Sequence, residues 1–252
     1  MQKVTFKNSR NLTLVGNFYP SSPEYIIIMC HGFTSDKSSR GRFDRFANAF
    51  QQLGYSVLAF DFSGCGESDD ERLTMSTQID DLHDAITFVK SIGFSHIALY
   101  GHSLGSRVCL ECYTDQIATI VLTGALTGPM KYDWNKHLTK EELQELKERG
   151  YITKNQKHRK VIIDKQMLLD FELIDQKELL TNVKCPVLIL NGDGDEEEWD
   201  LYQLSRQGMK WLSKDSKLEL IQGAIHSFTD HLSVIEKLAT EWFLKHFSLL
   251  MK

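Results

Sequence analysis

The sequence predicts one α/β domain over residues 1–252: a mostly parallel, twisted sheet flanked by helices, with an insertion near 126–182. Three observations predict it. Short, continuously apolar, β-branched runs alternate with helical stretches, the pattern of strands buried on both faces and covered by crossover helices. One such run passes through Gly101-His102-Ser103-Leu104-Gly105 straight into a helix, a very sharp strand–turn–helix step. The alternation stops after a run at 117–122 and resumes at Pro186-Val187-Leu188-Ile189-Leu190-Asn191. The polar stretch between is too long for an ordinary connection.

The elements follow in order. Residues 3–7 and 12–19 read as a hairpin with Asn8-Ser9-Arg10-Asn11 as its turn. Pro20-Ser21-Ser22-Pro23 breaks the chain before Tyr25-Ile26-Ile27-Ile28-Met29-Cys30, a buried strand that ends in His31-Gly32-Phe33. Residues 42–53 put Phe43, Phe46, Ala47, Phe50 and Leu53 on one helical face, with Gly54 as the stop. Ser56-Val57-Leu58-Ala59-Phe60 is another buried strand, followed by the turn-rich Asp61-Phe62-Ser63-Gly64-Cys65-Gly66-Glu67-Ser68. Ile79, Leu82, Ala85, Ile86 and Val89 make 76–92 an amphipathic helix, on which Asp80, Asp81 and Asp84 read as the solvated face. Strand 95–100, helix 104–114 and strand 117–122 come next.

Within the insertion, Thr139-Lys140-Glu141-Glu142 is a capping box for a helix that Gly150 ends. Residues 151–163 read as a hairpin and 164–180 as one or two short helices. Between 131 and 181 stand eleven Lys or Arg and ten Asp or Glu, so the segment is charged yet nearly balanced. Lys157-His158-Arg159-Lys160 accordingly reads as a solvated face rather than an anion site. A helix around 199–213, a strand at 217–221 and a helix at 230–248 complete the chain.

With 252 residues the chain can bury a substantial core. A net charge of −5 argues against nucleic acid as a partner, and no stretch approaches the roughly 20 apolar residues of a membrane span. Met1-Gln2-Lys3-Val4-Thr5-Phe6-Lys7 alternates, so it reads as a strand and not as a signal peptide. Five scattered cysteines (Cys30, Cys65, Cys109, Cys112 and Cys185) fit a reduced, cytoplasmic chain. Cys109-Leu110-Glu111-Cys112 lacks a second pair and lies within a helix, so it is not a zinc site. No histidine pair has metal-ligand spacing and no phosphate-binding loop is present, so neither metal nor cofactor is implied. A homodimer remains compatible with the composition.

The chemistry gathers at the strand ends. In G-x-S-x-G the serine occupies a turn so tight that the positions two before and two after must be glycine. A serine hydroxyl needs a base to take its proton, a third group to orient that base, and N–H donors for the oxyanion formed on attack. His226 follows the last strand, in Gly223-Ala224-Ile225-His226-Ser227-Phe228. Asp193 and Asp195 follow the strand before it, in Asn191-Gly192-Asp193-Gly194-Asp195. His102, His31, Asp61 and Glu67 read as packing or turn-fixing residues.

The elbow, the His31-Gly32-Phe33 turn, the 61–68 segment and the acid and histidine loops together resemble the α/β-hydrolase superfamily from about residue 25 onward. Length and the placement of the insertion resemble compact intracellular serine esterases of the cinnamoyl- and feruloyl-esterase type. The resemblance implies an α/β-hydrolase fold with an inserted lid. It implies Ser103 as nucleophile, His226 as base and the backbone N–H groups of Phe33 and Leu104 as the oxyanion hole. The family's usual spacing from the strand-end glycine selects Asp195 over Asp193 as the acid. Where the family usually has a hydrophobic residue and a proline after the acid, this chain has Glu196-Glu197-Glu198-Trp199.

The implied activity is hydrolysis of a small-molecule carboxylic ester, short-acyl or hydroxycinnamoyl, through an acyl-serine. Phe33, Met130, Tyr132 and Trp134, with Met167 and Phe171, are the candidate pocket residues. The same triad serves thioesterases, acyltransferases and peptidases, and the fold also hosts ligand-binding proteins without catalysis.

Overall fold

The computed structural model describes residues 1–156 and 159–248; Lys157 and His158 of the basic run lie outside them. One eight-stranded sheet dominates. Its strands are β1 (Gln2–Lys7), β2 (Thr13–Tyr19), β3 (Tyr25–Cys30), β4 (Ser56–Asp61), β6 (His96–His102), β7 (Ile117–Thr123), β10 (Val187–Gly192) and β11 (Lys217–Ile221), in the order β1-β2-β4-β3-β6-β7-β10-β11. β2 runs antiparallel to β1 and β4, and the strands from β4 to β11 are parallel.

Successive side chains of a strand point to opposite faces, so each fully apolar strand feeds two cores. Ile26 and Ile28 of β3 pack toward α2 (Met75–Ser91) and α3 (Leu104–Glu111), whose Leu82, Val89 and Val108 are buried there. Ile27 and Met29 face α1 (Arg42–Gln52) and α9 (Leu232–His246), meeting Phe43, Phe46, Phe50, Trp242 and Phe243. The parallel register brings Cys30 opposite Gly101 and Gly101 opposite Leu122. The carboxyl ends of β3, β6 and β7 therefore share one edge, where ligands gather in open α/β sheets.

Between β7 and β10 lie α4 (Trp134–His137), α5 (Lys140–Arg149), β8 (Tyr151–Gln156), β9 (Arg159–Asp164), α6 (Lys165–Asp170) and α7 (Gln176–Asn182). The capping box forms as the sequence predicts: Thr139 Oγ1 accepts from Glu142 N–H at 3.2 Å, and Glu142 Oε2 accepts from Thr139 N–H at 2.9 Å. Gly150 ends α5 at φ 74°. The hairpin of β8 and β9 does not stand alone. β9 pairs in parallel with a two-residue strand, β5 (Arg72–Leu73), which the sequence pattern did not reveal.

Two expectations are overturned here. Arg159 is not part of a solvated face: its Nη1 donates to the carbonyls of Cys65, Gly66 and Ser68 at 2.8–2.9 Å, and its Nη2 pairs with Asp70. Asp81 is fully buried rather than solvated, because it accepts from Asn8, Arg10 and Ser63, which pins the first hairpin to α2. Asp80 stays exposed, beside Arg10. Among the described residues no helix is long and apolar enough to cross a membrane.

Candidate active site

Ser103 sits between β6 and α3 at φ 53°, ψ −124°, a conformation an L-residue adopts only when its surroundings force it. The two glycines permit it. A Cβ on Gly101 would lie 2.7 Å from the carbonyl oxygen of Gly105, and one on Gly105 would lie 2.1 Å from that of Cys30. Ser106 locks the turn from behind, its hydroxyl donating to the Ser103 carbonyl at 2.5 Å and accepting from Leu126 N–H at 2.8 Å. The Ser103 side chain remains partly exposed at the sheet edge.

His226 reaches it from the loop after β11, with Nε2 2.9 Å from Ser103 Oγ. Arg42 holds that loop, its guanidinium donating to the Ser227 carbonyl at 2.5 Å and to the Ser39 hydroxyl at 2.7 Å.

The carboxylate facing the imidazole is Glu198, not Asp195 or Asp193. Glu198 Oε1 accepts from His226 Nδ1–H at 2.5 Å, which leaves Nε2 as the unprotonated nitrogen toward the serine. Its other oxygen accepts from the Gly192 N–H at 2.7 Å, and the side chain is fully buried. The predicted acid does something else. α8 (Glu196–Gly208) begins three residues earlier than its hydrophobic periodicity suggests, and Asp195 is its N-cap, accepting from Glu198 N–H at 2.8 Å. The second oxygen of Asp195 takes the backbone N–H of His226 at 2.8 Å, and Asp193 takes that of Gly223 at 2.6 Å. Both aspartates thus fasten the two loops together, while the first helical turn presents the glutamate.

The sequence held a signal for this. Asp195-x-x-Glu198 has the spacing of an N-cap followed by an acidic third helical residue. Gly124 makes room for the pair: a Cβ there, at φ 55°, would fall 2.8 Å from Glu198 Oε1 and 2.9 Å from His226 Cε1.

Burial by itself would disfavour a charged His226. The bond to Glu198 and the charges of Glu197, Glu198 and Asp195 outweigh it and raise its pKa above the ordinary histidine value. His102, whose ring lies 5.3 Å from that of His226, is pushed well below the ordinary value by burial and by Arg42 and His226. It packs as a neutral ring sharing a hydrogen bond with Thr123 Oγ1 at 3.0 Å. His31 braces the neighbouring turn. Its Nε2 accepts from Phe62 N–H at 3.3 Å, so its Nδ1–H donates to the Gly32 carbonyl at 2.9 Å.

Leu104 opens α3, and its N–H is among those a helix start leaves without an internal partner. The turn carrying Phe33 presses close to Ser103, since a Cβ on Gly32 would lie 3.1 Å from Ser103 Cβ. Aromatic side chains continue from there. The Phe33 ring meets Phe171 at 5.6 Å, and Phe171 meets Tyr132 at 5.2 Å and Trp134 at 5.8 Å. Tyr132 donates its phenol proton to Glu197 Oε1 at 2.8 Å, and that oxygen is 3.9 Å from His226 Nε2. Met130, Met167 and Phe171 are buried in the core on the α2–α3 side of the sheet, and Phe33, Tyr132 and Trp134 pack against it partly exposed.

Residues 21–176 match the family model described as serine aminopeptidase, S33 (Hydrolase_4). The chain belongs to this family. Similar solved structures share its fold: Est1E from Butyrivibrio proteoclasticus, solved with ferulic acid bound, superposes at TM-score 0.78 with 19% identity over 98% of this chain and 100% of its own. An esterase from Pyrococcus furiosus superposes at 0.70 with 17% identity, covering 98% and 91%. An uncharacterised 31.7 kDa protein of Escherichia coli, from the traX-finO intergenic region, is 26% identical over 88% of this chain and 91% of its own. The protein is thus a Hydrolase_4 serine hydrolase of α/β-hydrolase fold. The family match ends before α8, so Glu198 and His226 lie outside it.

Proposed function

We propose that this Hydrolase_4 protein is a carboxylesterase acting through an acyl-Ser103 intermediate, with His226 as base and Glu198 as the acid of the triad. The observation that carries the reading is the unbroken hydrogen-bond chain from Ser103 Oγ through the imidazole to a buried carboxylate. As Oγ attacks the ester carbonyl, its proton passes to Nε2, and Glu198 stabilises the imidazolium. The oxyanion points to the N–H groups of Leu104 and Phe33. Collapse breaks the bond to the alcohol, which takes the proton from Nε2, and water then repeats the sequence on the acyl-enzyme.

The insertion serves as a cover over the site, with Phe33, Tyr132, Trp134 and Phe171 as its aromatic lining. Ester chemistry is supported by the esterase names of its structural neighbours. The family description supports a second reading, cleavage of an amino-terminal peptide bond on the same triad. All five cysteines are free and buried, which supports a reducing compartment.

A fluorophosphonate probe followed by peptide mapping tests the nucleophile: labelling falls on Ser103, and Ser103→Ala is folded, unlabelled and at least about 10⁴-fold slower. Labelling elsewhere overturns the assignment. Short-chain nitrophenyl esters and methyl hydroxycinnamates, run beside aminoacyl nitroanilides, separate esterase from peptidase. The esters turn over, and an exclusive preference for the anilides moves the reading to peptidase.

A further inference from the structure

The carboxylate of Glu197 has no task in the hydrogen-bond chain that runs through Ser103, yet it stands at its working end. Oε1 is 3.9 Å from Nε2, the nitrogen that hands the proton to the departing alcohol, whereas Glu198 lies on the opposite side of the ring. About a third of the Glu197 side chain is exposed, unlike the fully buried Glu198. Among the described residues no lysine or arginine forms an ion pair with it; its contacts are Tyr132 and His226. Tyr132 donates to Oε1, and the half-buried Trp134 ring lies 5.2 Å from the Tyr132 ring. A negative charge here repels the oxyanion formed on attack while it favours the imidazolium, and it gives a neutral ester no partner.

We infer that Glu197 is a specificity-determining residue that selects esters whose alcohol carries an ammonium group. The inference rests on the esterase reading and refines it. A cation on the leaving group neutralises Glu197 in the ground state and lies against aromatic faces, which attract cations. It also offsets the repulsion between that carboxylate and the oxyanion as the tetrahedral intermediate forms. An anionic leaving group meets the reverse and is excluded. The leaving-group side is specified because Nε2, 3.9 Å from Oε1, is the proton donor to the alcohol.

The matched probes are butyrylthiocholine and S-(3,3-dimethylbutyl) thiobutyrate, equal in shape but differing in one charge, with thiol release as the readout. The wild type prefers the cationic probe by about tenfold in kcat/KM, and the preference falls as salt is raised. Glu197→Gln brings the ratio to near one, with both probes measured at a pH where His226 is neutral in both proteins. Tyr132→Phe reduces the preference in part. The nitrophenyl esters of 6-aminohexanoate and heptanoate place the charge on the acyl side instead, and their ratio stays near one. Equal rates on the thioester pair, or a preference that survives Glu197→Gln, overturn the subsite while leaving the esterase intact. A preference confined to the acyl pair overturns the leaving-group assignment. Loss of all ester turnover together with absence of Ser103 labelling overturns the esterase reading and the subsite with it.

Discussion

Two of the four carboxylates at positions 195–198, Asp195 and Glu198, divide the work around His226, and backbone geometry decides which does what. Asp195 has the shorter side chain and extended backbone, so it turns to the N–H groups of Glu198 and His226. Glu198 extends from the first turn of α8 to Nδ1. Glu198→Gln removes the charge that stabilises the imidazolium and offers an amide able to hold the wrong tautomer. We expect a loss of roughly 10³–10⁴ in kcat with the fold intact. Asp195→Asn keeps an oxygen for capping and costs about tenfold or less, through loop geometry alone. Steady-state kinetics on the two purified variants decides the order, and a larger loss in Asp195→Asn returns the role to that residue. The pH profile follows from the same cluster. His226 must be neutral to act as base and its pKa is raised, so kcat/KM climbs with pH through a limb above the ordinary value of 6.5 and is lost as pH falls below it. Glu198→Gln removes a charge that raises that pKa, so the residual activity has its limb displaced to lower pH. A limb that stays in place contradicts this electrostatic account.

At the scale of elements, the unforeseen part is the small sheet of β5, β9 and β8. A two-residue strand carries no periodicity, and its partner lies in a segment far along the chain, so propensity gave no sign of it. Arg159 was misread for a related reason. A basic run looks solvated until the carbonyls of Cys65, Gly66 and Ser68, presented by a glycine-rich turn, converge on one guanidinium. Charged hydrogen bonds of this kind contribute about 2 kcal/mol, so Arg159→Ala is expected to lower the melting temperature by roughly 4–8 °C. Arg159→Lys recovers only part of it, since an ammonium cannot reproduce the planar fork. A calorimetric scan checks both, and unchanged melting shows the anchor to be dispensable.

For the molecule as a whole, the fold was legible because each buried strand is written as an unbroken apolar run and each long helix as a periodic one. Ser103 and His226, which the fold brings within hydrogen-bond distance, could be singled out because the elbow needs two glycines at fixed offsets and the histidine follows the last strand. The carboxylate that faces the imidazole could not, because it depends on where α8 begins, and helix starts are set by capping rather than by apolar period. The buried Asp81 escaped notice because three partners from distant segments remove it from water, and a helix-face pattern does not contain them. Arg72 pairs with Asp164 and covers the Tyr151 ring, so the stretch that carries β5 holds the insertion by side chains as well as by strand pairing. In engineering terms the insertion is not a cassette. An insertion transplanted from a relative would arrive without Arg72, Leu73 and the carbonyls of the turn before them. Segment 64–73 therefore belongs on the donor side of any chimera, though it is encoded well upstream of the piece being exchanged.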